Sequence, residues 1–155
     1  MARVLADDVA LNYIGTEPYL SFIKSTIYDA GGNNNNILDP GETANFTATL
    51  KNIGGVDFTN LATTIACTDP YVTISDNSGS FGYVAVDSIR ENTTDPYVVS
   101  ASPSTPQGYV ATITLIATDG VFVDTFYYNL NVVTYNYLML NTDLTPSACE
   151  YVHTI

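Results

Sequence analysis

The sequence contains few charged residues, and positive charges are the scarcest. Among 155 residues there are 16 Asp and Glu but only four Lys and Arg, which gives a formal net charge of -12. Nucleic-acid binding needs clustered Lys and Arg that replace counterions on the phosphates, and anionic membrane surfaces attract the same residues. The composition therefore argues against a nucleic-acid partner and against an anionic membrane surface.

Long apolar runs are also missing. No stretch of about 18 apolar residues occurs, which is roughly what a membrane-spanning helix needs, so we expect no membrane insertion. The segment Met1 to Gly15 lacks the basic and then apolar pattern of a signal peptide, because Asp7 and Asp8 interrupt it. If the protein is exported, we expect its signal to have been removed from this chain.

Catalytic patterns are scarce as well. His153 is the single histidine and lies close to the C-terminus, which disfavours a Ser-His-Asp or Cys-His arrangement. No Gly-rich phosphate loop with a lysine is present. The 16 acidic residues leave a two-carboxylate glycosidase open, but acids in turns act more often as caps and turn formers. We therefore predict that the chain is not an enzyme.

Cysteine occurs twice, at Cys67 and Cys149. This spacing is too wide for a local zinc knuckle or a thioredoxin-type pair. In an extracellular setting the two residues are candidates for a disulfide that ties the C-terminal segment to the sheet holding Cys67. Two independent buried thiols are the alternative.

In place of charge, the sequence has hydroxyl, amide and phenol side chains, with 21 Thr, 14 Asn and 12 Tyr. Apolar residues make up 46% of the chain, enough for the core of one domain. A surface of this kind with little Lys is more typical of secreted or cell-surface β proteins than of cytosolic enzymes. We expect the protein to be secreted or displayed on the cell surface.

Apolar residues recur with a period of two, which indicates half-buried strands. The clearest strands are Thr43 to Asn52, Tyr109 to Thr118 and Phe122 to Val132. Weaker strands are predicted at Leu20 to Tyr28, Leu61 to Cys67, Tyr71 to Ser75, Phe81 to Val86 and Tyr97 to Ala101. With Gly, Asn and Pro turns between them, they predict an all-β, immunoglobulin-like antiparallel β-sandwich of seven to nine strands with extended termini. A barrel is the alternative.

The pattern divides the chain into three parts. Residues 19–134 form the predicted β-sandwich domain, residues 1–18 an N-terminal extension, and residues 135–155 a C-terminal extension or extra strand. Both extensions contain apolar residues that need a packing partner. Each is either an extra strand or linker, or a donor strand that adds to a neighbouring copy, for which Ala2 to Ile14 is the candidate.

The segment from Asp29 to Glu42 is unlike the rest because it is rich in side-chain oxygens and glycine. Calcium takes six to eight oxygens from carboxylates, amides, backbone carbonyls and water. The predicted ligands are three carboxylates and three amides: Asp29, Asn33, Asn35, Asn36, Asp39 and Glu42. The segment does not fit an EF-hand, since Asn34 takes the glycine position and Pro40 the glutamate position. A loop whose Asn side chains satisfy nearby backbone groups is the alternative.

This segment, continued through Thr43 to Gly54, resembles a module of large secreted bacterial and archaeal proteins with the pattern GNGNGxLDPGE followed by LxVTLKNxG. Thr68 to Ile74 and Ser102 to Gly108 match further stretches of the same module. The resemblance covers about residues 19–133 and is to CARDB-type adhesion domains. It implies a β-sandwich with a structural or adhesive role and no active site. This sequence has Asn34 and Asn36 where members often have Gly or Asp.

Two glycosylation sequons occur, at Asn45 and Asn92. Asn45 lies on the predicted outward face of the strand that begins at Thr43, and Asn92 lies in a polar turn. Both are predicted glycan sites if the source organism modifies exported proteins.

These observations predict a non-enzymatic extracellular structural or adhesive module. More sharply, they predict the repeating subunit of a cell-surface filament whose copies are joined by strand complementation. The first alternative is an accessory immunoglobulin-like domain of a larger secreted hydrolase of the peptidase type. The second is a carbohydrate-binding module, indicated by Tyr127, Tyr135 and Tyr137, because sugar rings stack on exposed aromatic side chains.

Overall fold

The computed structural model describes residues 17–133, which form nine β-strands. In chain order these are β1 Leu20–Tyr28, β2 Thr43–Asn52, β3 Phe58–Ala66, β4 Val72–Asp76, β5 Ser78–Val84, β6 Ile89–Glu91, β7 Tyr97–Ala101, β8 Tyr109–Thr118 and β9 Val123–Val132. Within residues 17–133 there is no helix, and so none that could cross a membrane. The predicted extensions lie almost entirely outside these residues.

The strands form two antiparallel sheets. Sheet A has the order β1-β2-β7-β4, with the short β6 also paired to β2. Sheet B has the order β5-β3-β8-β9. The prediction of an all-β antiparallel sandwich is confirmed, and the barrel alternative is wrong because the two sheets keep separate edges.

The core lies between the inner faces of the sheets and follows from the two-residue alternation of the longest strands. In sheet A, Phe46 and Leu50 are fully buried, and in sheet B so are Ile113 and Leu115. Full burial of side chains this large stabilises the fold by about 1.5–3 kcal/mol each. The alternation that identified β2 and β8 in the sequence is therefore the same alternation that fills the core.

On the outer face of β2, Thr47 and Thr49 are buried although the alternation directs them away from the core. The reason is that β6 pairs with this part of β2, with Thr49 opposite Glu91. The Thr47 hydroxyl donates a hydrogen bond to the Glu91 carboxylate. The Glu91 side chain of β6, which lies beside β2 in the same sheet, thus contacts Thr47 on a surface that the sequence pattern marked as open.

Strand β9 begins one residue later than predicted. The turn before it depends on Asp119, whose Oδ1 accepts the N–H groups of Val121 (3.1 Å) and Phe122 (2.8 Å). Gly120 in this turn has a φ of 100°. Asp124 does not break the strand, because β9 pairs with β8 from Val123 to Val132 without interruption.

Candidate functional site

The oxygen-rich loop joins β1 to β2, and its first residue organises it. Asp29 is 1% exposed, and its carboxylate accepts the backbone N–H groups of Asn35 (3.0 Å, Oδ2) and Asn36 (2.9 Å, Oδ1). Burial raises the pKa of this carboxyl, but the N–H donors of Asn36 and Asn35 outweigh that effect, so the pKa is lowered overall. Asp29 is therefore a structural anion that holds the loop closed.

Glu42 at the other end of the loop has the same role. Its Oε1 accepts the N–H of Asn33 (3.2 Å), and its Oε2 accepts the N–H of Asp39 (3.1 Å). A Cβ at position 32 would lie 2.5 Å from the Glu42 Oε1 atom, so a larger residue there would displace the Glu42 side chain. The carboxylate therefore packs directly against the Gly32 backbone.

Asp39 lies between these two acids in the sequence and accepts hydrogen bonds from side chains instead of from the backbone. Its Oδ2 accepts the side-chain amides of Asn33 (2.6 Å) and Asn35 (2.9 Å). Its Oδ1 is buried and has no hydrogen-bond partner among residues 17–133. Of the three carboxylates, only Asp39 keeps an unpartnered oxygen.

Two asparagines of the loop adopt backbone conformations that favour glycine. Asn34 has a φ of 59° and Asn36 a φ of 61°, both in the left-handed region. Among residues other than glycine, asparagine tolerates this region best, because its short side chain can hydrogen-bond locally. Asparagine can therefore occupy positions 34 and 36, where the modules that this sequence resembles often have Gly or Asp.

Most of the predicted calcium ligands are already hydrogen-bonded within the loop. Asp29 and Glu42 direct both of their carboxylate oxygens at backbone N–H groups, and Asn33 and Asn35 direct their amide nitrogens at Asp39. Within the described part of the chain, no group of three or more His, Cys, Asp or Glu residues is placed to hold a metal ion. The geometry supports a hydrogen-bonded loop, and calcium binding stays a prediction.

The loop also contacts the edge of sheet B, which the sequence did not indicate. Leu38 is fully buried and forms a parallel bridge with Val132, and the N–H of Val133 donates to the Leu38 carbonyl at 3.2 Å. The apolar pair Ile37 and Leu38 directly after the asparagine run was the available signal, since apolar residues in a polar loop need a packing partner. The loop therefore contributes one residue to the edge of β9.

The two sequons occupy different environments. Asn45 is exposed on β2 and lines a shallow pocket of about 270 Å³ with Tyr28 and Thr47. Asn92 is fully buried, its Oδ1 accepts the N–H of Ala48 (2.8 Å), and its Nδ2 donates to the carbonyl of Asp95 (2.9 Å). A glycan on that nitrogen would have to replace these contacts, so the structure favours Asn45 over Asn92, and glycosylation at both stays a prediction.

Cys67 follows directly after β3 and is half-buried. Burial raises the pKa of its thiol. Cys149 lies outside the described residues, so the disulfide stays a prediction.

Strand β9 carries the one predicted sugar-binding residue that lies within the described chain. Tyr127 is 72% exposed on the outer face of sheet B. Its cross-strand neighbour is Thr114 on β8. Tyr135 and Tyr137 lie outside the described residues.

No protein family model and no curated protein matches this chain. Among solved structures, one match is the crystal structure of a FixG-related protein from Vibrio parahaemolyticus. The sequences are 12% identical, the match covers 75% of this chain and 94% of the other, and the TM-score is 0.39. This similarity concerns the β-rich architecture alone.

Proposed function

We propose that this chain is a non-enzymatic structural or adhesive module that acts outside the cell. In this proposal it is the repeating subunit of a surface filament, and the segment Ala2 to Ile14 of one copy completes a sheet of the next. The resemblance to CARDB-type adhesion domains supports the structural role. The distribution of charge over the two sheets carries the argument for self-association.

Sheet B is almost free of charge. Its four strands contain a single charged residue, Asp124, although the chain has a net charge of -12. The three positive residues within the described chain all belong to sheet A, namely Lys24, Lys51 and Arg90. The strands of sheet A contain two acidic residues, Asp76 and Glu91, so within the described chain the acidic groups are concentrated in the segments outside the strands.

The outer face of sheet B consists of neutral side chains. Its exposed residues include Val110, Ile116, Val123 and Tyr127, with threonines between them on β8 and β9. Two copies of an acidic protein repel one another, and like charges brought together in an interface cost several kcal/mol. A neutral face lets two copies meet without burying carboxylates, which supports self-association.

The proposal is tested by electron microscopy and light scattering of the full chain at increasing concentration. We expect fibres, and a chain that stays monomeric at every concentration would contradict the proposal. Thr112→Glu places a charge on the exposed outer face of sheet B and should weaken assembly at least tenfold. Thr73→Glu, at an exposed position of β4 in sheet A, is the matched control and should leave assembly unchanged.

The donor role of the N-terminal segment has its own test. Val9, Leu11 and Tyr13 alternate with Ala10 and Asn12, as a half-buried strand requires. Leu11→Glu keeps the full chain and places a charge in this alternating row. Fibres that form as readily as those of the unmodified chain would exclude this segment as the donor.

A second candidate function is carbohydrate binding, favoured by the exposure of Tyr127. A neutral surface with an exposed aromatic ring suits the stacking of a neutral sugar. A glycan array compared between the unmodified chain and Tyr127→Ala tests this function. Binding that Tyr127→Ala abolishes, in a chain that does not form fibres, would replace the filament proposal.

A further inference from the structure

We infer that the free edge of β9, from Val123 to Asn129, accepts the segment Ala2 to Ile14 of a second copy. This inference rests on the proposed filament function and names the acceptor, which that proposal left open. It is based on the regularity of the strand, the direction of its backbone groups and the space beside it.

Strand β9 is the one regular edge among the four strands at the ends of the two sheets. The pairings of β1 with β2, β4 with β7 and β5 with β3 each contain a register shift. Bulges of this kind twist an edge and hinder the addition of another strand. Strand β9 pairs with β8 over 10 residues, Val123 to Val132, without a shift.

The direction of the free backbone groups follows from the bridge to Leu38. Because the N–H of Val133 donates to Leu38, that N–H points away from β8. In an antiparallel pair, alternate residues of an edge strand direct both N–H and C=O away from the neighbour. Counting back from Val133 in steps of two along this regular strand gives the outward residues: Val123, Thr125, Tyr127, Asn129 and Asn131.

Most of these groups have no strand opposite them within the described chain. Leu38 pairs only at Val132, so the edge from Val123 to Asn129 is open to another strand. The edge contains no Pro, Lys or Arg, three residues that hinder pairing at other sheet edges. Asp124 is its one charge and belongs to the row that alternates toward the core, with Leu130 and Val132. Its Oδ1 accepts the N–H of Thr125 at 2.8 Å, so an added strand must replace this one local hydrogen bond.

There is space along this edge at both ends. A groove of about 540 Å³ lies at the start of β9, between Pro18 and Val123, and one of about 370 Å³ lies near its end, between Ile27 and Leu130. Phe22 on β1 lies between them and packs on Phe126 and Tyr128. The grooves thus leave space beside the two ends of the edge, while the three rings pack together between them.

The length of the N-terminal segment suits this edge. Seven residues from Val123 to Asn129 span about 23 Å, at about 3.3 Å per residue. The segment Ala2 to Ile14 is longer than that, and Val9, Leu11 and Tyr13 form an apolar row along it. This row matches the neutral side chains of Val123, Thr125 and Tyr127 on one face of the acceptor.

The decisive variant is Thr125→Pro in the full chain. It removes one outward N–H, which bonds only the Asp124 carboxylate within the described chain, and proline is tolerated on edge strands where the N–H is not used by a neighbouring strand. Thr125→Val changes the side chain and keeps the N–H. We expect Thr125→Pro to raise the concentration needed for fibres at least tenfold and Thr125→Val to leave it unchanged, with both folds checked by circular dichroism.

The outcomes separate this inference from the function on which it rests. Fibres formed equally well by Thr125→Pro would overturn the β9 edge as acceptor and leave the filament proposal standing. Absence of fibres from the unmodified chain would overturn both. Should Thr125→Pro fail to fold, hydrogen exchange decides instead: the Thr125 and Tyr127 amides must become protected upon assembly, and unchanged exchange overturns the inference.

Cross-linking distinguishes a second copy from the same chain. In a background of Cys67→Ser and Cys149→Ser, Leu11→Cys and Thr125→Cys chains with different tags are mixed and oxidised. A disulfide between the two tags supports donation from a second copy. If a chain carrying both cysteines forms only an internal disulfide, the segment folds onto its own β9 and the inference fails.

Discussion

The ring of Phe22 on β1 stacks on the ring of Tyr128 on β9, with centroids 4.9 Å apart and planes inclined by 8°. Tyr128 also stacks on Phe46 of β2, at 5.4 Å. The three rings join the edges of sheets A and B, which form no hydrogen-bonded ladder with each other. Aromatic packing therefore closes this side of the sandwich.

The hydroxyl of Tyr128 gives the first prediction. It is buried without a hydrogen-bond partner among the described residues, whereas the Tyr97 hydroxyl bonds to Thr63. An unsatisfied buried hydroxyl costs about 1–3 kcal/mol, so Tyr128→Phe should raise the free energy of unfolding by about 1 kcal/mol. Tyr97→Phe is the matched control and should lower it by about 1 kcal/mol. Urea denaturation measures both, and a destabilised Tyr128→Phe would contradict the packing described above.

Tyr97 also predicts sensitivity to alkali. Burial raises the pKa of Tyr97 from 10.0 to about 12, so the folded state holds the phenol proton more tightly than the unfolded state does. The stability from this group is complete below pH 10 and is lost as the pH rises toward 12. Melting temperatures between pH 8 and about 12 should therefore fall, and Tyr97→Phe should show a shallower decline. Parallel declines for both chains would exclude Tyr97 as a cause.

Asp29 predicts that the stability of the fold decreases in acid. Its pKa is lowered in the fold. The ionised carboxylate therefore stabilises the folded state above the ordinary carboxyl pKa of about 4, and this stabilisation is lost as the pH falls below that value. Asp29→Asn places an amide nitrogen against the N–H donors of the loop and should lower the melting temperature at pH 7. Its melting temperature should also change less between pH 5 and 2 than that of the unmodified chain. An equal acid dependence in both would contradict the role of Asp29.

The loop predicts the effect of calcium removal. Because N–H and amide donors already occupy every carboxylate oxygen of Asp29, Asp39 and Glu42 except the Asp39 Oδ1, a chelator should leave the melting temperature unchanged. A ligand that binds only the folded state must raise its stability, so a calcium-dependent increase would be evidence for the site expected from the sequence. Asp39→Asn is the control, since it changes the carboxylate with the unpartnered oxygen and should abolish any such increase.

Glycosylation is tested by intact mass of protein from its native source. We expect any attached glycan at Asn45, because Asn92 is buried and both of its amide atoms are hydrogen-bonded. Asn45→Gln should then give the mass of the bare polypeptide. A remaining glycan that maps to Asn92 would contradict the burial of that residue.

The sequence predicted the strands best where alternation was long. The bounds of β1, β2, β7 and β8 agree with the predicted ranges, and in β2 and β8 ten residues of alternating polarity leave one assignment. Strand β6, Ile89–Glu91, was missed because three residues are too few to define a period. Strand β3 begins at Phe58, three residues before the predicted start, because its pairing with β5 is irregular there.

The candidate site was predictable in part. The loop was located correctly between β1 and β2, since Gly, Asn and Asp mark such connections. How its oxygens are used depends on where the N–H groups of Asn33, Asn35 and Asn36 point, which composition does not specify. The bridge of Leu38 to Val132 joins residues distant in the chain, and local patterns carry no information about such pairs.

The Leu38 bridge limits the part of the β9 edge that the proposed donor strand can reach. It occupies the last position of the β9 edge, so an incoming strand meets the loop and can advance no further along the edge. In the proposed filament, the Asp29 to Glu42 loop would limit how far the donated strand extends along β9 and so fix the register of one copy against the next. Shortening that loop should then change the axial repeat of the proposed fibre while its cross-section stays the same.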